Sequence, residues 1–215
     1  MPVAEGAQRD NSRGGALSPP AGPQVRGNDM KEIALHILDI AQNSITAGAS
    51  HLEITLTEEN GGISLTIADD GRGMSPELLA TVSDPFTTTR TTRKMGLGLP
   101  LLRMAAEQTG GSLEIESTVG TGTTVRVRFQ ADHIDCPPLG DLAGTITLLI
   151  QGAPELELTY IHRANSAEAR LDTREVRKEL GEDISLAEPE VILWLRDYLQ
   201  EQELLLRDEN KGMKA

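Results

Sequence analysis

A strand-like run, Gly62-Ile63-Ser64-Leu65-Thr66-Ile67-Ala68, stops at Asp69-Asp70-Gly71-Arg72-Gly73-Met74, and this junction constrains the chain more than any other stretch. Apolar residues at every second position predict a half-buried strand. The Asp-x-Gly-x-Gly that follows fixes one carboxylate, Asp69, at the strand end. Gly71 and Gly73 let the backbone turn and let a flat ring approach closely. Asp69 could there accept a hydrogen bond from the exocyclic amine of adenine. An Asp-Gly turn also serves plain chain reversal, so the neighbouring segments decide between the two.

Upstream, Ile33, Ile37, Ile40, Ala41 and Ile45 recur at helical spacing between Met30 and Ala47, with Gly48 placed to stop the helix. Glu32, His36, Asp39 and Asn43 share another face of it, which on a lone helix reads as a solvated surface and in the company of Asp69 as the polar wall of a site. His51 to Thr57 reads as a strand and Glu58 to Gly62 as a turn, giving a hairpin with the run above. After the acidic turn, Ser75 and Pro76 form a helix start, as N-cap and first helical residue. The segment from Asp84 to Leu99 then gathers hydroxyls, Arg90, Arg93 and Lys94, and a Gly96-x-Gly98 that feeds a helix from Leu99 to Glu107. A helix N-terminus behind glycines offers free N–H groups to phosphate oxygens, and the cations can add charge-assisted bonds; a surface loop with a helix cap fits the same residues. Ser112 to Ser117 and Thr123 to Phe129 alternate as two further strands.

The net charge of −13 argues against a nucleic-acid or anionic-membrane surface. A single cysteine, Cys136, excludes an intramolecular disulfide framework. No apolar run approaches the roughly 18–20 residues that span a bilayer, and the N-terminus lacks the apolar core of a secretory signal, so a cytoplasmic location is expected. Residues 1–28, rich in Gly, Pro, Ala and Ser, are expected to be a disordered tail.

Neither a Gly-x-x-x-x-Gly-Lys-Ser/Thr loop nor a Gly-x-Gly-x-x-Gly between strand and helix is present. The ordered set that is present resembles the nucleotide-binding boxes of the GHKL ATPases: Asp39 and Asn43 on a helix, Asp69-x-Gly71-x-Gly73, Asp84-Pro85-Phe86, Gly96-Leu97-Gly98-Leu99, and Gly122-Thr123. That family comprises gyrase-type topoisomerases, heat-shock chaperone ATPases, histidine kinases and mismatch-repair ATPases. The Phe-box and Gly-Leu-Gly-Leu look most like the histidine kinases and the anti-sigma serine kinases. The resemblance covers residues 30–131. It implies an α/β fold, a two-layer Bergerat-type sandwich with a mixed sheet and helices on one face, binding ATP with Mg2+. It also implies that Asn43 binds the magnesium, that Asp69, Gly71, Gly73 and Met74 frame the adenine, and that Thr123 joins the water network beside it. Phe86, Thr87, Arg90, Lys94, Gly96, Leu97, Gly98 and Leu99 match the lid that wraps the phosphates. Asp39 stands where many relatives carry a glutamate or histidine that activates the attacking group, with an arm one methylene shorter.

Residues 132–215 lie beyond those boxes and hold 18 Asp and Glu against 9 Lys and Arg, so −9 of the −13 is concentrated there. After a Pro137-Pro138 linker they read as a small α+β extension. Its parts are a helix from Asp141 to Gln151, a hairpin around Asn165-Ser166, and an amphipathic helix from Glu188 to Leu206 with Val191, Leu195 and Leu199 on one face. Trp194 is expected in its core. A looser similarity links this tail to histidine-kinase-like ATP-binding proteins associated with bacterial iron hydrogenases. The chain shows no phosphoacceptor helix hairpin. The expected function is therefore a kinase acting on a separate, unidentified protein partner, with an ATP-operated interaction switch and a nucleotide binder without turnover as alternatives. A homodimer is possible by analogy with kinases.

Overall fold

Leu52, Ile54 and Leu56 on one strand and Ile63, Leu65 and Ile67 on the next are buried while their neighbours are not, so one pleat direction turns all six inward. These strands, β1 (His51–Glu59) and β2 (Gly62–Asp69), pair antiparallel. Asn60 and Gly61 join them with φ of 51° and 73°, the left-handed pair that a two-residue hairpin turn demands. The computed structural model describes residues 32–83, 98–181 and 184–212. The expected tail at 1–28, and Phe86, Thr87, Arg90, Lys94, Gly96 and Leu97 of the expected lid, lie outside the described residues.

The six-stranded sheet runs β3-β4-β2-β1-β5-β6, with β3 at Ser112–Thr118, β4 at Gly122–Gln130, β5 at Glu157–Ala164 and β6 at Ala167–Asp172. Every neighbouring pair is antiparallel except β1 with β5, so the sheet is mixed, as expected. The extension is thus built onto the same sheet: β5 lies along β1 with Leu52 opposite Leu158, Ile54 opposite Tyr160 and Leu56 opposite His162. Four helices cover one face, α3 (Gly98–Gln108), α1 (Ile33–Thr46), α4 (Leu142–Gly152) and α6 (Pro189–Gly212), each touching the next in that order. The other face carries the partly or fully exposed Thr55, Thr66, Arg126 and Glu116, the last two ion-paired at 2.7 Å.

The helix ends follow their sequence signals. Gly48, at φ 80°, closes α1; Ser75 Oγ accepts the Leu78 N–H (3.3 Å) at the start of α2 (Pro76–Ser83); Asp141 accepts the Gly144 N–H (2.8 Å) at the start of α4. The short, strongly charged α5 (Thr173–Leu180) was not expected from the sequence: Val176 and Leu180, one turn apart, are the apolar residues that seat it on the core. It is capped by Asp172, which accepts the Arg174 N–H (2.9 Å) and its guanidinium (2.7 Å). The Arg174 hydrogen bonds hold the Asp172 carboxyl down at about 2 despite its burial. Val191, Leu195 and Leu199 of α6 are buried, but Trp194 is 53 % exposed. One residue from Leu195 is about 100° around a helix, which carries the indole off the buried line.

Under α6 the core contains an ionic cluster. His162, its side chain 2 % exposed, bonds Glu203 through Nδ1 (2.9 Å) and Glu58 through Nε2 (3.0 Å), while the Tyr160 hydroxyl donates to Glu203 (2.8 Å). Burial pushes the His162 pKa down, but the two carboxylates more than offset it and raise it to about 9.

Candidate functional site

The two aspartates at the end of β2 do different work. Asp69 stands on the helix side of the sheet, in line with Ile63, Leu65 and Ile67, where Ser44 of α1 donates its hydroxyl to Oδ2 (2.6 Å) and the Gly71 N–H donates to Oδ1 (2.9 Å). Each carboxylate oxygen has room for another donor, so Asp69 is held in place yet able to bind. Asp70 is spent on structure. It accepts the N–H groups of Ser50 and His51 (both 2.8 Å) and the Ser50 hydroxyl (2.5 Å), bonds that hold its carboxyl below the ordinary carboxylate range, the Ser50 hydroxyl contributing most.

The glycines around Asp69 fill positions a side chain could not. Gly73 sits at φ 64°, and a Cβ there would run into the Thr118 carbonyl. A Cβ on Gly122, at φ 123°, would strike the Asp69 carbonyl. On Gly71 it would press against Asp69 Oδ1 at 3.0 Å and the Ala47 methyl at 3.1 Å. Thr123 lies directly opposite Asp69 in the β2–β4 register. Its hydroxyl is 2.9 Å from that of Ser117, which also accepts the Met74 N–H (2.9 Å) and donates to the Gly122 carbonyl (3.0 Å). Met74 and Thr123 are therefore tied together through one serine on β3.

Asp39 and Asn43 occupy successive turns of α1, and the Asn43 amide donates to Asp39 Oδ2 at 3.4 Å. Partial burial raises the Asp39 carboxyl above its ordinary value, and the Asn43 bond offsets only part of that. The same carboxylate touches Gly98, the first residue of α3, closely enough that a Cβ there would collide with it. Asp39 thus borders the start of a helix, where negative charge is favoured. Leu99, matched to the lid, packs against the core. His36 is 1 % exposed, so the Glu32–Asn43 stripe is not uniformly solvated.

Contacts join Asp39, Asn43 and Gly98 in one group and Asp69, Gly71, Gly73, Met74 and Thr123 in another, and Ser44, next to Asn43 on α1, reaches Asp69. Sequence reasoning missed Ser44 and Ser117. Ser44 had a signal available, since it follows Asn43 by one residue and its buried position faces the sheet; Ser117 had none, because its contacts depend on the β3–β4 register.

A sequence-family model described as histidine kinase-, DNA gyrase B- and HSP90-like ATPase matches residues 28–133. The chain is 32% identical over 125 residues to the histidine protein kinase DivJ of Caulobacter vibrioides, covering 51% of this chain and 21% of that protein. It is 32% identical over 116 residues to the C4-dicarboxylate transport sensor protein DctB of Rhizobium meliloti, covering 52% of this chain and 18% of that one. To the sensor histidine kinase ZraS of Escherichia coli K12 it is 28% identical over 104 residues, covering 47% and 22%. The chain therefore spans about a fifth of the length of these curated relatives.

Proposed function

Residues 28–133 form a histidine-kinase-like ATPase domain of the GHKL type, and from that premise we propose that the protein binds ATP with magnesium and passes the γ-phosphate to a separate regulatory protein. The observation that carries this reading is the division of labour at the β2 end: Asp70 is bound up in the turn, while Asp69 is fixed by Ser44 and Gly71 with acceptor capacity left over. That remaining capacity suits the exocyclic amine of adenine, and the glycines let the backbone close tightly around Asp69.

The donor set at α1 fits a hard cation. The Asn43 side chain is exposed, and its N–H group is turned to Asp39, which leaves the amide oxygen as a neutral ligand. Magnesium held there would neutralise charge on the phosphates. The chain's own part in transfer is assigned to Asp39: a carboxylate with a raised pKa beside the start of α3 would take a proton from an attacking side chain on the partner. The lid residues Phe86, Thr87, Arg90, Lys94, Gly96 and Leu97, with Gly98 and Leu99, would close over the phosphates, and Arg90 and Lys94 would meet the developing charge. A cytoplasmic setting suits this role, and no helix among the described residues is long and apolar enough to cross a membrane.

One observation favours a second reading. The Asp39 carboxylate is already occupied by Asn43 and packed on Gly98, an arrangement that suits an ATP-operated interaction switch with little turnover. Calorimetric titration of ATP with and without magnesium, on wild type and Asp69→Asn, tests the pocket. Magnesium-strengthened binding that the substitution weakens by about tenfold or more, the loss of a hydrogen bond to a charged group, supports it; wild-type protein that does not bind ATP refutes it. Labelled ATP incubated with candidate partners then separates the readings, since protein-bound label means a kinase and ATP-dependent capture without label means a switch.

A further inference from the structure

Of the large hydrophobic side chains exposed among the described residues, four lie on α6: Leu193 (61 %), Trp194 (53 %), Leu204 (60 %) and Leu205 (55 %). They form two pairs eleven residues apart in the sequence. Eleven residues are three helical turns and about 16 Å, so the pairs stand one above the other on the same side of the helix. Of the exposed side chains between them, Asp197 and Glu201 stand in line with the pairs, while Gln200 and Arg196 turn toward one flank. Beside them Tyr198 stacks on Trp194 with ring centroids 5.9 Å apart, and its hydroxyl donates to the Arg170 carbonyl at 3.2 Å. That bond holds the aromatic pair rigid on the β6 side. The cations of this stretch, Arg196 and Arg207, fall on the opposite flank, where Arg196 meets Asp141 of α4 at 3.4 Å.

Rigid exposed aromatics beside aliphatic anchors are what binding surfaces share, and exposed apolar side chains grouped on one face and rimmed by polar ones mark interaction sites. The charge pattern selects the occupant. Two copies of α6 packed antiparallel would set Leu193 and Trp194 on the partner's Leu204 and Leu205, but they would also set Asp197 against Glu201. Like charges at the centre of such a contact oppose it. A segment with Lys or Arg at its middle and apolar residues three turns apart satisfies both features. We infer that this face of α6 is a docking surface for a basic, amphipathic helix of a partner protein.

Trp194 is the only tryptophan in the chain, so its emission reads the site directly. The full chain is titrated with a synthetic helical peptide bearing Leu pairs three turns apart with Lys between them, and with a second peptide carrying Glu in place of Lys. A blue shift that saturates at one Lys peptide per chain, is absent with the Glu peptide, and is weakened about tenfold by Leu205→Asp and by Glu201→Lys is the expected result. Both substitutions fall on exposed side chains, and circular dichroism confirms that the variants fold. The absence of a shift, or equal affinity in wild type and both variants, overturns the inference. So does a concentration-dependent dimer abolished by Leu205→Asp, which would assign the face to a second copy, or a blue shift on zwitterionic vesicles that matches the one with peptide, which would assign it to lipid.

Discussion

Glu203→Gln isolates the charge that joins α6 to the sheet. In the wild type His162 is wedged between Glu203 and Glu58, and its pKa rises from 6.5 to about 9. A group whose folded pKa lies above its unfolded value stabilises fully below the unfolded value, and that contribution is lost as pH rises through the folded value. The shift of about 2.5 pH units corresponds to about 3 kcal/mol, present at pH 6, falling between 6.5 and 9, and gone above it. Glutamine keeps the shape at 203 and still accepts the Tyr160 hydroxyl, but it removes one of the two charges that hold the imidazolium. Urea unfolding of both proteins at pH 6, 7.5 and 9, followed by Trp194 emission and by circular dichroism, gives the difference directly. The variant should be less stable by about 2–3 kcal/mol at pH 6, with the gap closing toward pH 9. A gap that stays constant with pH, or a wild type whose stability does not fall between 6.5 and 9 relative to the variant, refutes the reasoning.

Asp70→Ala should lower the melting temperature by removing the acceptor for Ser50 and His51, while calorimetry should show ATP affinity within about twofold of wild type. Because the Asp70 pKa is depressed, its contribution is present above the ordinary carboxylate range and fades as pH falls through it, so the two melting curves should approach each other in acid. Gly73→Ala forces a left-handed residue and a methyl group into the Thr118 carbonyl; denaturant midpoints should report a loss of about 2 kcal/mol or more, and unchanged stability would contradict the packing described.

The β1–β2 hairpin, the acidic turn and the helix caps were legible because each is local: alternation, a Gly at a positive φ, or an Asp three residues ahead of the N–H it accepts. The placement of Thr123 opposite Asp69 was only hinted at, since it depends on β4 pairing with β2 across a gap of more than fifty residues. The parallel pairing of β5 with β1 had no signal, because nothing in either run says which free edge it will meet. Trp194 was misread, and the burial of His36 was not foreseen, for one reason. Each lies on a helix between neighbours of clear character, and a side chain at the boundary of an apolar stripe takes its exposure from whatever packs alongside. For α6 that is the bare margin beyond β6.

The parallel register of β5 along β1 also governs how the molecule keeps to itself. Without it, β1 would present nine residues, with Leu52, Ile54 and Leu56 in alternation, as an open margin of unpaired peptide groups. A long apolar margin of that kind recruits further strands and seeds aggregates. The extension replaces it with β6, six residues long and carrying the exposed Glu168 and Arg170, a short and charged border on which another chain finds little purchase.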